Sequence, residues 1–215
     1  MPLDPLLNLI TRTALSLPEA RTLALAGGAA MIAHGFVSRL THDIDLFTEV
    51  DDREAVLVVA ALRTALGQLG LTTTNADRPP LDHRFVAIDP ATSQECLVEV
   101  FADGGRLRER VTLDVGTVLH PDDLAADKVL ALWGRARPRD YFDVHALLQR
   151  FGPDRLLELA AAKDAGFTSD TFLDALNAIK RLTPEDWTED GIDVNATDDL
   201  RATFAKWHRE LAAAS

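Results

Sequence analysis

The sequence predicts an α+β protein, with a mixed sheet and flanking helices in its N-terminal part and a helical subdomain after it. Period-two alternation and short apolar runs are confined to the region before residue 118. From Pro121 onward the apolar residues recur at helical spacing instead. Prolines 121, 138, 153 and 184 stand where those helical runs begin or are divided, as first-turn prolines do. Strands followed by a run of helices is the ordinary pattern of an α+β chain or of two subdomains. The boundary is drawn at residues 1–118 and 119–215.

Each element has its own signal. Leu3, Leu6, Leu7, Ile10 and Ala14 make a helical stripe over 3–16 that Pro18 stops. Thr22 to Ala26 reads as a buried strand that runs into Gly27-Gly28, and Ala29 to His34 reads as a short helix ended by Gly35. Asp43-Ile44-Asp45-Leu46-Phe47 alternates, so the two aspartates share one strand face and Ile44 and Leu46 the other. Residues 52–69 form an amphipathic helix closed near Gly70, and strands are expected at 71–74, 83–88 and 95–101. Helices are expected at 121–134, 139–150, 154–164, 169–181 and 198–213.

Composition excludes several classes. A chain of 215 residues, 47% hydrophobic and 26% charged, buries a core without disulfide or metal staples. No apolar run approaches the roughly 20 residues of a membrane span. The start, Met1-Pro2-Leu3-Asp4, lacks a basic region, so no secretory signal is read. Cys96 is the single cysteine, which rules out an intrachain disulfide and fits a reducing cytoplasm. A net charge of −12 disfavours non-specific coating of nucleic acid. The six histidines show no zinc spacing, and there is no Walker loop, dinucleotide fingerprint or Gly-x-Ser-x-Gly elbow.

Two constellations carry chemistry. Gly27-Gly28, after a strand and before a helix, lets backbone approach a ligand closely. Asp43 and Asp45 converge from one strand face, and two adjacent carboxylates repel unless a cation or proton lies between them. Mg²⁺ suits that arrangement, because it takes one or two carboxylates together with phosphate oxygens and water. A glycine turn for a triphosphate and an Asp-x-Asp strand for metal outline a nucleotidyltransferase site.

Ala26-Gly27-Gly28, Arg39, Thr41 and Asp43-Ile44-Asp45-Leu46-Phe47 resemble the opening motif of the AbiEii/AbiGii (MenT-like) nucleotidyltransferase toxins, of the polymerase-β-like superfamily. Asp127-Lys128-Val129-Leu130-Ala131-Leu132, Arg135, and Arg139-Asp140-Tyr141-Phe142-Asp143-Val144 are similar to the family's second signature. The resemblance spans roughly residues 22–150, whereas 154–215 match no motif.

It implies a nucleotidyltransferase-type mixed sheet completed by the helical subdomain. It also implies a toxin that moves a nucleoside monophosphate, of a pyrimidine, from an ATP/CTP-type NTP to the tRNA 3′ end. That transfer would block aminoacylation, with Mg²⁺ (or Mn²⁺) as cofactor and an antitoxin as partner. Arg39, four residues before Asp43, is expected at the γ-phosphate. Lys128 shares a helix face with Leu124, Leu132 and Arg135, and is read as reaching triphosphate oxygens or the leaving group. Asp140 and Asp143, at i and i+3, are expected to supply a catalytic base, with one of them paired to Lys128 or Arg139. Glu99 is a candidate third metal carboxylate, as on the neighbouring strand of wider superfamily members.

Arg106, Arg108 and Arg110, and Arg135, Arg137 and Arg139, are clustered enough to line a positive groove for an RNA end. Residues 183–200 hold seven acids and no Lys or Arg, and should lie away from RNA or meet a basic partner. Two other readings stay open: nucleotidyl transfer to a protein or small-molecule hydroxyl, and a nucleotide-binding regulatory module without turnover. An intact Asp-x-Asp together with Lys128 argues against the last.

Overall fold

The computed structural model describes residues 3–18, 21–49, 52–77, 83–102 and 105–214. The chain divides into two compact units, residues 1–35 with 41–120, and residues 36–40 with 121–215.

The N-terminal unit is built on a seven-stranded mixed sheet ordered β3-β4-β5-β2-β1-β7-β6. Helix α1 (Pro5–Ser16) opens it. Asp4 caps its first turn by accepting from the Leu6 N–H at 2.9 Å, and its buried stripe is Leu6, Leu7, Ile10, Thr11 and Ala14. β1 (Ala24–Leu25) leads through Gly27 into α2 (Gly27–Ala33). The glycines therefore form the first turn of that helix and not a turn preceding it, a place where glycine removes no intrahelical bond. Gly35, at φ +73°, lies just past its end.

β2 (Asp43–Thr48) occupies the centre of the sheet and alternates half-buried and buried residues, as the sequence predicted. It runs antiparallel to β1 and parallel to β5 (Glu95–Ala102). Helix α3 (Asp52–Gln68) is followed by β3 (Thr72–Asn75) and β4 (Arg84–Ile88). The hairpin β6 (Val111–Leu113) and β7 (Gly116–Val118) has no counterpart in the sequence reading. Three-residue strands are too short to show an alternation.

The C-terminal unit contains α4 (Pro121–Arg135), α5 (Pro138–Phe151), α6 (Pro153–Lys163), α7 (Ser169–Ala178), α8 (Pro184–Glu189) and α9 (Thr197–Ala214). Residues 179–181 tighten to a 3₁₀ turn, so the helix expected over 169–181 stops early. α8 is the helix that the sequence reading missed. Its capping box joins Thr183 and Asp186. Two of the acids of 183–200, Asp186 and Asp193, are local caps, the latter accepting from the Asn195 N–H at 2.9 Å, while Asp190 accepts from the distant Arg139 N–H at 3.1 Å.

The core of this unit is aromatic. Tyr141, Phe172, Trp187, Phe204 and Trp207 are buried, and the Phe204 ring lies edge-on to Tyr141 at 5.1 Å and stacks with Trp207 at 6.2 Å. Tyr141 Oη donates to the Ala175 carbonyl at 2.5 Å, which satisfies its one buried polar atom.

Removing the Phe204 ring should cost about 3–5 kcal/mol, the range for deleting a buried aromatic side chain. Urea unfolding of Phe204→Ala measures it. A loss below about 1 kcal/mol would place that ring outside a close-packed core.

Candidate active site

In the N-terminal unit, the central strand sets the geometry. Ile44 and Leu46 are fully buried, which fixes β2 in register and turns Asp43 and Asp45 together onto the opposite, half-buried face. Thr41 Oγ1 donates to Asp43 Oδ1 and orients that carboxylate. The Ala26 N–H donates to the Asp45 carbonyl at 2.9 Å, tying β2 to the start of α2. Gly27 has φ +58°, and a Cβ at that position would lie 1.7 Å from Asp45 Oδ2 and 2.6 Å from its Cγ. The Asp45 carboxylate thus fills the space of the missing side chain, against the first turn of α2, where the helix dipole favours negative charge.

Glu99 is the in-register partner of Asp45 across β2 and β5. Its carboxylate lies 2.6 Å from Nε of Arg84, its in-register partner on β4, and Arg84 Nη1 lies 3.4 Å from Asp77. Among the described residues, no group of three or more His, Cys, Asp or Glu side chains is arranged to hold a metal. Asp43 and Asp45 are two hard oxygen donors on one half-buried face, which fits a cation that completes its shell with phosphate and water oxygens. Cys96 registers the same negative field. Burial, and after it Asp43, Asp4 and Asp45, push its thiol up to about 12.

The C-terminal unit gathers a second set. Asp143, 1% exposed, accepts from Arg39 through a two-point fork, Nε to Oδ1 and Nη2 to Oδ2, both at 2.8 Å. Lys128 Nζ lies 2.8 Å from the same Oδ2, and the Lys128 and Arg39 side chains are only 9% and 10% exposed. Burial alone would raise the Asp143 pKa. The charges and hydrogen bonds of Lys128 and Arg39 outweigh it and hold the carboxyl below its ordinary range.

Asp140 is fully buried and plays a different part. It accepts from Arg135 Nε and Nη2, at 3.0 and 2.9 Å, and from the Arg137 N–H at 3.0 Å, closing the first turn of α5. One of the two aspartates was expected to pair with Lys128 or Arg139 and the other to face the site; instead Asp143 pairs with Lys128 and Arg39, and the fully buried Asp140 pairs with Arg135.

The basic clusters are also engaged. In the N-terminal unit Arg106 pairs with Glu49, and Arg110 lies 3.2 Å from Glu49 and donates to the Thr22 carbonyl. Arg108 Nη1 reaches the Leu107 carbonyl at 3.4 Å. Thr41 stood in the opening motif without an assigned contact, and Asp77 and Arg84 were not singled out from sequence. Arg84 does carry a faint signal, because it shares a face of β4 with Val86 and Ile88 while Phe85 and Ala87 are buried. Its partner depends on a strand register that sequence does not display.

Residues 12–212 match the family described as nucleotidyl transferase AbiEii toxin, type IV toxin–antitoxin system. The chain belongs to the AbiEii nucleotidyltransferase toxin family. This AbiEii chain is accordingly a nucleotidyltransferase of a toxin–antitoxin system, a class of enzyme that generally uses divalent metal ions.

Solved structures give the same fold at low identity. JHP933 from Helicobacter pylori aligns with a TM-score of 0.58 at 14% identity, over 98% of this chain and 95% of that one. MenT4, a nucleotidyltransferase toxin from Mycobacterium tuberculosis H37Rv, aligns at 0.57 and 14%, over 96% and 83%. No curated protein matches the chain in sequence. Among the described residues, no helix of this AbiEii protein is long and apolar enough to cross a membrane.

The Gly27–Asp45 contact has a measurable consequence. At Gly35, with φ +73° and open space for a Cβ, an alanine meets only backbone strain, about 1–2 kcal/mol. Gly27→Ala meets that strain and the Asp45 carboxylate as well, so it should lose more stability than Gly35→Ala in urea unfolding. Equal losses would mean that the Asp45 side chain gives way freely.

Proposed function

We propose that this toxin transfers a nucleoside monophosphate, of a pyrimidine, from an NTP to the 3′ end of tRNA in the cytoplasm, and so blocks aminoacylation. The observation that supports it best is the pair Asp43 and Asp45 on one face of the central strand, with Asp45 seated on the bare backbone of Gly27. In this reading Asp43 and Asp45 hold a divalent cation, Mg²⁺ or Mn²⁺, and Gly27 and Gly28 bring backbone to the nucleotide tail. A cation so held neutralises charge on the phosphates and aligns them. The acceptor hydroxyl oxygen forms its bond to the α-phosphorus as the bond to pyrophosphate breaks, and the hydroxyl proton passes to solvent water.

Lys128 and Arg39 are assigned the charge of the triphosphate. A guanidinium fork and an ammonium suit phosphate oxygens, and their shared partner Asp143 leaves both side chains largely desolvated. Glu99 is a lesser candidate for the metal, since Arg84 already holds it. Arg106, Arg108, Arg135, Arg137 and Arg139 remain candidates for RNA contact. An antitoxin restrains the activity. A second reading, transfer to a cationic small molecule or a protein side chain, is favoured by the net charge of −12.

Purified protein and Asp45→Ala are incubated with each α-labelled NTP, Mg²⁺ and total tRNA, intact or with its 3′ diol oxidised. The expected result is label in intact tRNA from a pyrimidine NTP, absent with oxidised tRNA and absent in the variant. Label in protein alone would favour the second reading, and no label in tRNA with any NTP would overturn the first.

A further inference from the structure

The acceptor's proton leaves as the new bond forms, and Asp143 is one of the two aspartates read from the sequence as its base. We propose instead that Asp143 is a positioning residue, which holds the Arg39 guanidinium and the Lys128 ammonium side by side and takes no proton from the acceptor. The inference rests on the reading in which Arg39 and Lys128 meet the triphosphate.

The geometry argues for it in three ways. First, both Asp143 oxygens are engaged: Oδ1 accepts from Arg39 Nε, while Oδ2 accepts from Arg39 Nη2 and faces Lys128 Nζ, all at 2.8 Å. A general base must reach the proton it removes and match its pKa to the working pH. A carboxylate 1% exposed and gripped by two cations meets neither demand. Second, two like charges sharing one carboxylate repel each other, and Asp143 is the anion that keeps them adjacent. Arg39 lies in the short segment 36–40, which packs with the C-terminal unit. Phe36 of that segment also sits edge-on to Phe151 at 6.3 Å and beneath Arg150 at 5.5 Å. The fork to Asp143 thus sets the guanidinium plane in a segment that has no strand or helix of its own. Third, Asp140 is excluded as a substitute base by its own engagement with Arg135 and the Arg137 N–H.

Positioning and base catalysis separate in kinetics. Loss of a general base lowers kcat by about 10²–10⁴-fold and removes its limb from the pH–rate profile. Loss of a clamp on phosphate-binding cations weakens NTP binding and leaves the profile's shape alone. The experiment compares full-length wild type, Asp143→Asn, Asp143→Glu, Arg39→Ala and the double variant Arg39→Ala/Asp143→Ala. Three quantities are read: the Kd of a non-hydrolysable NTP analogue, KM and kcat from pyrophosphate release, and the pH–rate profile.

The expected result is a Kd and KM raised about tenfold or more in Asp143→Asn. The acidic limb of the profile should remain, and Asp143→Glu should recover part of the affinity. If Asp143→Asn does not fold, the double variant decides, because it removes the anion and one cation together. Its NTP affinity should fall below that of Arg39→Ala alone, because Lys128 then loses its anion as well, and the acidic limb should remain. Unchanged NTP affinity with the acidic limb lost, in either comparison, would overturn the proposal and make Asp143 the base. Asp45→Ala serves as the control. If it abolishes transfer while NTP affinity is indifferent to Asp143, the proposal fails and the functional reading stands. If wild type modifies no acceptor but Asp143→Asn still weakens NTP binding, the reading fails and the clamp stands.

Discussion

The Asp45 carboxylate occupies the volume that a side chain at residue 27 would fill, and much else in the N-terminal unit follows from that contact. It requires glycine at position 27, both for space and for φ +58°. It fixes how β1 hands the chain to α2, a junction reinforced by the Ala26–Asp45 backbone bond. It also seats a charge at a helix start in the middle of the sheet, where Ile44 and Leu46 anchor the same strand from behind. A carboxylate placed there is held by backbone geometry on one side and by packing on the other, so its position costs little flexibility to define.

The C-terminal unit solves a different electrostatic problem. Arg39, Lys128 and Asp143 are nearly excluded from water, and so are Asp123 and Lys163, which meet at 3.3 Å between α4 and α6. Desolvated charges are tolerated only when paired. Each of these pairs joins different segments of the unit: 36–40 and α4 to α5 in the first case, α4 to α6 in the second. Truncating one partner of such a pair leaves a buried charge uncompensated, which is a cost of about 3–5 kcal/mol. The residues to which the proposal assigns the triphosphate therefore also carry stability, and for that reason kinetic and binding readouts are needed to tell the two apart.

The fold class was legible because its signals are local. Alternation in 43–47 and helical stripes in 121–164 depend on residues that neighbour one another in sequence. The hairpin at 111–118 and helix α8 escaped because three-residue strands and a six-residue helix carry too few residues to show a period. Of the candidate site, the shared face of Asp43 and Asp45 was readable from parity alone. The partners of each charged group were not. Arg84 meeting Glu99 depends on the pairing of β4 with β5, and Arg39 meeting Asp143 joins residues 104 positions apart. The acids of 183–200 looked like a charged patch because a capping aspartate and a solvated one are the same letter; only the helix starts, at α8 and beyond, distinguish them.

If Asp43 and Asp45 hold a divalent ion beside the nucleotide, titration of Mn²⁺ detects it without any need for turnover. Electron paramagnetic resonance counts free against bound Mn²⁺ in the presence of a non-hydrolysable NTP analogue. Wild-type protein should bind the ion more tightly than the analogue does alone, and Asp43→Asn/Asp45→Asn should add nothing to the analogue's own Mn²⁺ binding while remaining folded by circular dichroism. Equal Mn²⁺ binding by the two proteins would contradict the account.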